Sequence, residues 1–582
     1  FEAARQSGYT ELQAGIIAAR LPHASGEVRH LVSPSLGALD NFESLPDIKV
    51  AATKIADAIQ GGMRLICVAD HDVDGGTAAA IVKSALCEFF KVPEGNVLLV
   101  TSHRMREGYG VSDALAERII EANAGMPALI VTVDQGSTDE LRIAKLLEAG
   151  IETVVTDHHE IPDEGIPKSA VAVVNPIRKD GLFPDASIAG CYVAFLVMSA
   201  VRAELVARRH LPPDAPKLTA LLDFASCGTV ADCVDLGASL NNRAVVRYGL
   251  RLMNAGARPC WRAMAKLVGR GEPITAETVG FGISPRLNGS GRLDDSMRTV
   301  DFLLSKTDEE AERLLQELDA QNTRRREIQK SMTDAARPIA QAQAQAGVPA
   351  IVIYLPDGHA GVHGICASRV VEAHGRPTVF LSPKQGEPGN LTGSLRSVEG
   401  VHIRDALLRT RELTDGQTPV SAGGHAMAAG CRIREEDLDL FTEAFRAAVA
   451  EQRAASTMAP LVETDGTLHR TPDLAALEEI AALEPYGRKF PAPVFEGAFE
   501  VVTVRPVGDG THLKLQLAEP GTWATLGAIW FGARENAEAP APVVAGQMVT
   551  FLYTLHSNTF RGVTNVDLHI NAIRSEAKEP QG

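Results

Sequence analysis

Three apolar runs in the first third of this chain each stop at acidic or imidazole side chains. Leu65-Ile66-Cys67-Val68-Ala69 runs into Asp70-His71-Asp72-Val73-Asp74-Gly75-Gly76. Leu129-Ile130-Val131-Thr132-Val133 runs into Asp134-Gln135-Gly136, and Val154-Val155-Thr156 into Asp157-His158-His159. Short β-branched runs that end at polar residues or glycine read as buried parallel strands. In an open α/β sheet the ligand site lies beyond the carboxyl ends of the strands. The three clusters are therefore expected along one sheet edge. Carboxylates and imidazoles gathered there suit a pair of divalent ions such as Mn²⁺ or Mg²⁺.

Each cluster alone is a weak signal. A D-x-D-G spacing occurs in many turns, Asp134 could simply cap the next helix, and His158-His159 could lie in a surface turn. The weight lies in three acid/His clusters, each after a strand. Two divalent ions roughly 3.5–4 Å apart can share a phosphodiester oxygen, lower the pKa of a bridging water and stabilise the leaving oxygen. Asp134, at a central strand end, is the natural bridging carboxylate. His158 can ligate through one ring nitrogen while its other N–H is oriented by a neighbour. His159 can donate to a substrate phosphate.

The 582 residues allow about three to four domains. Alternating strand and helix patterns predict a mainly parallel sheet over 50 to about 200, with helices at Thr77–Phe90 and Thr138–Glu148. Residues 200 to 300 read as largely helical. Lys306–Gln345 reads as a long connecting helix broken near Pro338. A second α/β block starts at Ala350-Ile351-Val352-Ile353-Tyr354, and Ala454–Thr457 looks like its boundary. Short alternating strands beyond about 490 suggest a small β-barrel. The resulting division is an N-terminal segment (1–49), an α/β domain (50–300), a connecting helix (301–348), a second α/β domain (349–455) and a barrel with its linker (456–582).

The eight cysteines show no C-x-x-C spacing and read as buried apolar residues in a reduced compartment. No secretory signal is visible, and the apolar stretch near Cys191–Val201 is too short to span a bilayer. A cytoplasmic protein with no membrane partner is expected. The net charge of −16 weakly opposes a nucleic-acid partner. Metal ions and local arginines can nevertheless reverse the field inside a cleft.

At the acidic motifs the chain resembles the DHH phosphoesterases, and within them the single-strand-specific 5′→3′ exonucleases. Asp70-His71-Asp72-Val73-Asp74-Gly75 is similar to the first family motif and Val133-Asp134-Gln135-Gly136 to the second, where Asn or Cys is commoner than Gln135. Asp157-His158-His159 is similar to the motif that names the family. Ala225-Ser226-Cys227-Gly228-Thr229-Val230-Ala231-Asp232 is similar to the fourth. Pro285–Leu293 resembles the segment that follows the first domain. Gly361–Arg369, Gly393–Ser397 and Gly423-Gly424-His425 resemble parts of the DHHA1 domain. Pro491–Phe495 and His512-Leu513-Lys514 resemble the entry to an OB-fold.

The resemblance implies DHH and DHHA1 α/β domains joined by a long helix, with a C-terminal OB-fold. It implies Asp72, Asp74, Asp134, His158 and Asp232 as metal ligands. Asp70 and His159 would lie in or next to the ligand shell, and Asp157 would orient it. Arg369, Ser394, Arg396 and His425 would face the metals across a cleft and, with Arg286 and Arg292, hold the substrate's phosphates. Taken alone, Arg369 and Arg396 read as solvated surface charge. The implied activity is two-metal hydrolysis of single-stranded DNA from its 5′ end, in repair and recombination, beside single-strand-binding protein and a helicase. Two rival readings remain: a phosphodiesterase for short oligoribonucleotides or cyclic dinucleotides, and an inactive DNA-binding scaffold. The terminal barrel argues against the first and the intact acidic motifs against the second. The barrel region carries nine Lys/Arg against fifteen Asp/Glu, so strand binding there needs a local patch. Chemistry is expected to need only the metal and DHHA1 motifs, so a chain cut near Ala455 should still cleave short strands.

Overall fold

The computed structural model describes residues 1–22, 28–104, 107–108, 110–269, 271–454, 463–520, 525–560 and 563–574, with the side chains of Ala454 and Phe560 left aside. The expected boundary at Ala454–Thr457 falls mostly outside them.

The first sheet consists of β1 (Arg64–Ala69), β2 (Val97–Thr101), β3 (Ala128–Val133), β4 (Glu152–Thr156) and β5 (Ala172–Val174). Its order is β2-β1-β3-β4-β5, with every pairing parallel. Ala69 pairs with Val133 and Val133 with Thr156, so the three motif-bearing strands are adjacent and end level. Both faces are covered, which is why the strands read as continuous apolar runs. Leu65, Cys67 and Ala69 belong to the large core on one face. Ile66 and Val68 pack on the other, with Leu115, Ile119 and Leu146.

The first core also holds the helix Gly190–Ala207, which is long and apolar enough by length and composition to cross a membrane. It exceeds the stretch expected from sequence, and twelve of its residues are buried, including Tyr192 and Phe195. Its apolarity therefore serves the core, where it packs on the helices Ile48–Gln60 and Val73–Ser84. The helix expected at Thr77–Phe90 starts earlier, at Val73, because Asp72 caps it. Gly75 and Gly76 consequently lie inside its first turn. A Cβ on Gly75 would come within 2.5 Å of the Asp70 carbonyl oxygen. Close approach, rather than turn flexibility, explains that glycine.

The long helix runs unbroken over Asp308–Gln345 with Pro338 inside it. An interior proline costs about 3 kcal/mol. Here Met332, Ala336 and Ala340, on both sides of the proline, are buried against Ile351, Ile353, Val362 and Cys366, and this packing overrides the local break. The second sheet has the order β6-β7-β8-β10-β9. Its strands are β6 (Ile351–Tyr354), β7 (Thr378–Pro383), β8 (Asn390–Arg396), β9 (Ser421–Gly424) and β10 (Ala428–Arg434). Strands β11 (Phe495–Val507), β12 (His512–Ala518), β13 (Thr525–Trp530), β14 (Met548–Phe560) and β15 (Val563–Ile573) close a barrel.

Nothing in the sequence pattern foretold how tightly the two ends of the chain are joined. Arg20 pairs with Asp465 at 2.5 Å and donates to the Pro491 carbonyl at 2.7 Å. The Gln13 amide donates to the Glu479 carbonyl at 2.8 Å. Buried Arg243 donates to the carbonyls of Val32 (2.6 Å), Leu236 (3.1 Å), Pro485 (3.0 Å) and Leu483. Its guanidinium lies 3.9 Å from the Phe490 ring centroid. One side chain thus ties the N-terminal segment, the first α/β domain and the C-terminal region together.

Candidate metal centre

Level strand ends bring Asp70, Asp134 and Asp157 to one edge, and helices deliver the remaining acids. Asp72 accepts the N–H groups of Asp74 (2.9 Å) and Gly75 (3.1 Å) as the cap of its helix. Asp74, in the first turn, is 1% exposed. It accepts from the N–H of Gly190 (2.7 Å) and of Cys191 (2.9 Å), at the positive end of the helix Gly190–Ala207. Asp232 sits just past the helix Leu222–Ala231. A Cβ on Gly228 of that helix would come within 2.7 Å of Asp74 Oδ1, so the glycine makes room for the carboxylate.

Asp134 adopts a left-handed backbone, φ 60°. Its carboxylate points inward rather than capping the next helix, which begins at Glu140. Among the described residues Oδ1 has no hydrogen-bond partner, although Asp134 is 2% exposed. His158 Nε2 lies 3.2 Å from this oxygen, 3.7 Å from Asp74 Oδ2 and 3.7 Å from Asp232 Oδ2. Three ligand groups emerge, each with donor atoms within 4.8 Å of one another. They are Asp134-His158-His159, Asp74-His158-Asp232 and Asp70-Asp72-Asp134.

Charge explains why such a cluster needs cations. Burial, then Asp74, Asp72, Asp70 and Asp232, push the Asp134 carboxyl well above its ordinary range. Burial, Asp74 and Asp72 do the same to Asp232. Burial, with Asp70 and Asp74, raises Asp72. Asp70 is held low: burial opposes this, but neighbouring His71, with Nδ1 3.0 Å away, outweighs it. Burial lowers His158, which keeps its imidazole neutral and able to ligate. A buried oxygen without a donor, mutually repelling carboxylates and a neutral imidazole together fit two hard or borderline divalent ions.

Asp157 serves a different purpose. Its Oδ1 accepts the N–H of His158 (2.8 Å), the N–H of His159 (3.1 Å) and His159 Nδ1 (2.7 Å). Its Oδ2 accepts the Ser137 N–H at 2.9 Å. Burial works against the charge, but these bonds, led by that from His159, hold the carboxyl far below its usual range. His159 is correspondingly raised to about 10: burial opposes, and the Asp157 bond prevails. Asp157 therefore fixes the His159 imidazole and the backbone of both histidines. Two supports lay outside the motifs: Ser102 donates to Asp70 at 3.3 Å, and Asn175 bonds Ser137 and the His159 carbonyl, each at 2.9 Å.

Family models match in the same order as these domains. The DHH family N-terminal domain matches residues 64–229, the DHHA1 domain 347–451 and the RecJ OB domain 468–572. A single-stranded-DNA-specific exonuclease RecJ from Dickeya dadantii is 36% identical over 92% of this chain and 92% of its own. The chain belongs to the RecJ family. RecJ of Escherichia coli is 35% identical, with 91% of each chain covered. The crystal structure of Thermus thermophilus RecJ with Mn²⁺ matches at a TM-score of 0.76 and 27% identity, over 99% of this chain and 77% of that one. A second crystal structure of the same RecJ contains Mg²⁺ and matches at 0.71.

The RecJ-type second domain brings the remaining expected residues close to differing degrees. The His425 ring stacks across the cleft on His159, with centroids 6.3 Å apart and planes at 20°. Glu160 bridges the same gap, 3.3 Å from His425 Nδ1 and 3.1 Å from Arg404. Neither Glu160 nor Arg404 carried a motif signal. Ser394 and Arg396 alternate onto one face of β8, and Arg396 lies against Gly364 at the start of the helix His363–His374. A Cβ on Gly364 would come within 2.6 Å of Arg396 Nη2. Arg292 donates to the Gly361 carbonyl at 3.4 Å, joining the two α/β domains. Two arginines are occupied elsewhere. Arg286 is bound to Asp319 of the long helix at 2.7 Å and to the Gly282 carbonyl at 2.6 Å. Arg369 is largely exposed and pairs with Glu372 at 3.0 Å.

Proposed function

We propose that this chain is a metal-dependent exonuclease that hydrolyses single-stranded DNA from the 5′ end; its RecJ relatives are named as single-stranded-DNA-specific exonucleases. The observation that carries the reading is Asp134 Oδ1, buried without a donor where the acids and His158 converge. Asp72, Asp74, Asp134, His158 and Asp232 would hold the metals, with Asp70 and His159 beside them. Bound there, two divalent ions would polarise a phosphodiester oxygen and lower the pKa of an attacking water. The protein's own groups supply orientation. Asp157 holds His159 by Nδ1, leaving Nε2 for the substrate phosphate. His425, Ser394 and Arg396 would clamp that phosphate from the second domain, where a guanidinium offers bidentate donors. Arg292 would act beside them, whereas Arg286 and Arg369 would serve chiefly structure and surface.

The barrel would hold the strand beyond the reacting end. Work in repair and recombination within the cytoplasm, beside single-strand-binding protein and a helicase, completes the proposal. The deciding assay follows products over time from 5′- and 3′-labelled single-stranded DNA and RNA with Mn²⁺ or Mg²⁺. Mononucleotides released from the 5′ end of DNA are expected. Release from the 3′ end, or preference for RNA, would overturn the reading.

A further inference from the structure

The C-terminal region does more than sit beside the metal centre. Its turn Tyr486–Phe490 is closed by Gly487 N–H donating to the Phe490 carbonyl (2.9 Å) and Phe490 N–H to the Gly487 carbonyl (3.1 Å). This turn docks on the stretch that follows Asp232. Leu236 N–H donates to the Arg488 carbonyl at 3.0 Å, and Lys489 pairs with Asp235 at 3.1 Å. Glycines permit contact from both sides. A Cβ on Gly237 would come within 2.5 Å of the Lys489 carbonyl oxygen, and one on Gly487 within 2.7 Å of Leu236 Cδ1.

The Arg488 guanidinium reaches furthest, donating to the Cys233 carbonyl at 3.4 Å. Cys233 follows Asp232 directly and takes a left-handed backbone, φ 55°, which costs a non-glycine residue about 1 kcal/mol. It lies at the end of the helix Leu222–Ala231, where the dipole favours a cation. Asp232 is also more open than Asp134 and Asp74, its side chain 30% exposed against 2% and 1%. It is therefore less fixed by its own surroundings than those two carboxylates.

We infer that Arg488 is a positioning residue of the metal centre: by binding the Cys233 carbonyl it holds Asp232 in its ligating place. Metal affinity thereby depends on this one contact made by the C-terminal region. This rests on the metal-centre reading above. Losing a partner that orients a ligand typically weakens metal binding about 10–100-fold.

The test is calorimetric titration of the full chain with Mn²⁺, without DNA, alongside thermal unfolding. Arg488→Ala is expected to bind Mn²⁺ at least about tenfold more weakly, with Arg488→Lys recovering much of the loss. Lys489→Ala removes a docking contact on the same turn without touching the Asp232–Cys233 backbone. It should lower the unfolding midpoint and keep wild-type Mn²⁺ affinity. If Arg488→Ala does not fold, Arg488→Lys and Arg488→Gln take its place, and Gln should bind the metal more weakly than Lys. Wild-type affinity in folded Arg488→Ala, or equal loss of affinity in Lys489→Ala, overturns the proposal. Failure of the wild type to bind Mn²⁺ would instead overturn the metal-centre reading.

Discussion

His158 Nε2 stands 3.2 Å from Asp134 Oδ1, yet nothing among the described residues donates a hydrogen bond to that oxygen. In the proposed site the pair would share a cation rather than a proton. Asp134→Asn keeps a side chain that tolerates the left-handed backbone and removes the charge. Hydrolysis should fall beyond the 10–100-fold typical of lost outer-shell partners. The metal-free protein should unfold at a higher temperature, because one of several repelling carboxylates is gone. Near-normal turnover with Mn²⁺ bound would remove Asp134 from the ligand set.

Gly364 gives a second handle on the proposed phosphate clamp. The space for its missing Cβ is taken by the Arg396 guanidinium, the mobile end of a long side chain. Gly364→Ala should displace that group and reproduce Arg396→Ala. Both variants should raise KM with kcat little changed. Each should also reduce the salt dependence of DNA binding by about one phosphate's worth of slope. An unaltered slope in both would return Arg396 to the solvated surface.

The buried guanidinium of Arg243 reverses the expectation that a chain cut near Ala455 keeps its chemistry. Carbonyls of Leu483 and Pro485 and the ring of Phe490 lie beyond the cut, and Arg243 is bonded to all of them. Burial already lowers its pKa to about 10. Without those partners it is left with lost bonds costing about 1–3 kcal/mol each. The fragment 1–454 should aggregate or lose activity on short and long strands alike. In the full chain, Arg243→Met should lower stability by about 3 kcal/mol or more. Full efficiency of the fragment on short oligonucleotides would show that the two ends of the chain are independent.

Glu484 makes the docking of the C-terminal region sensitive to pH. Burial and then Glu277 of the first domain raise its carboxyl to about 7, and the Tyr486 phenol lies close by. A folded-state pKa above the unfolded value means that the contribution is fully present below about 4.5. It is lost as the pH rises through about 7. Wild type should therefore lose unfolding temperature between pH 5 and 8 more steeply than Glu484→Gln, and the curves should meet near pH 5. Parallel curves would show that Glu484 ionises without cost.

Much of the metal centre was legible in the chain because its signals are local. A parallel strand buried on both faces must be a short apolar run, and its carboxyl end is where polar side chains can gather. Asp70, Asp134 and Asp157 could thus be placed before any coordinates. Alternation alone exposed the barrel, which closes as β11-β12-β13-β15-β14. Tertiary packing decided what local rules could not. Pro338 stays helical because Ala336 and Ala340 are buried on either side of it. Arg286 turns to Asp319, and Arg243 abandons solvent for four carbonyls brought from distant parts of the chain. Glu160 meets His425, and Arg488 meets Cys233, only after whole domains have docked. Strand ends and caps follow from neighbouring residues, whereas a partner for a long charged side chain depends on surfaces remote in sequence, so no periodicity records it.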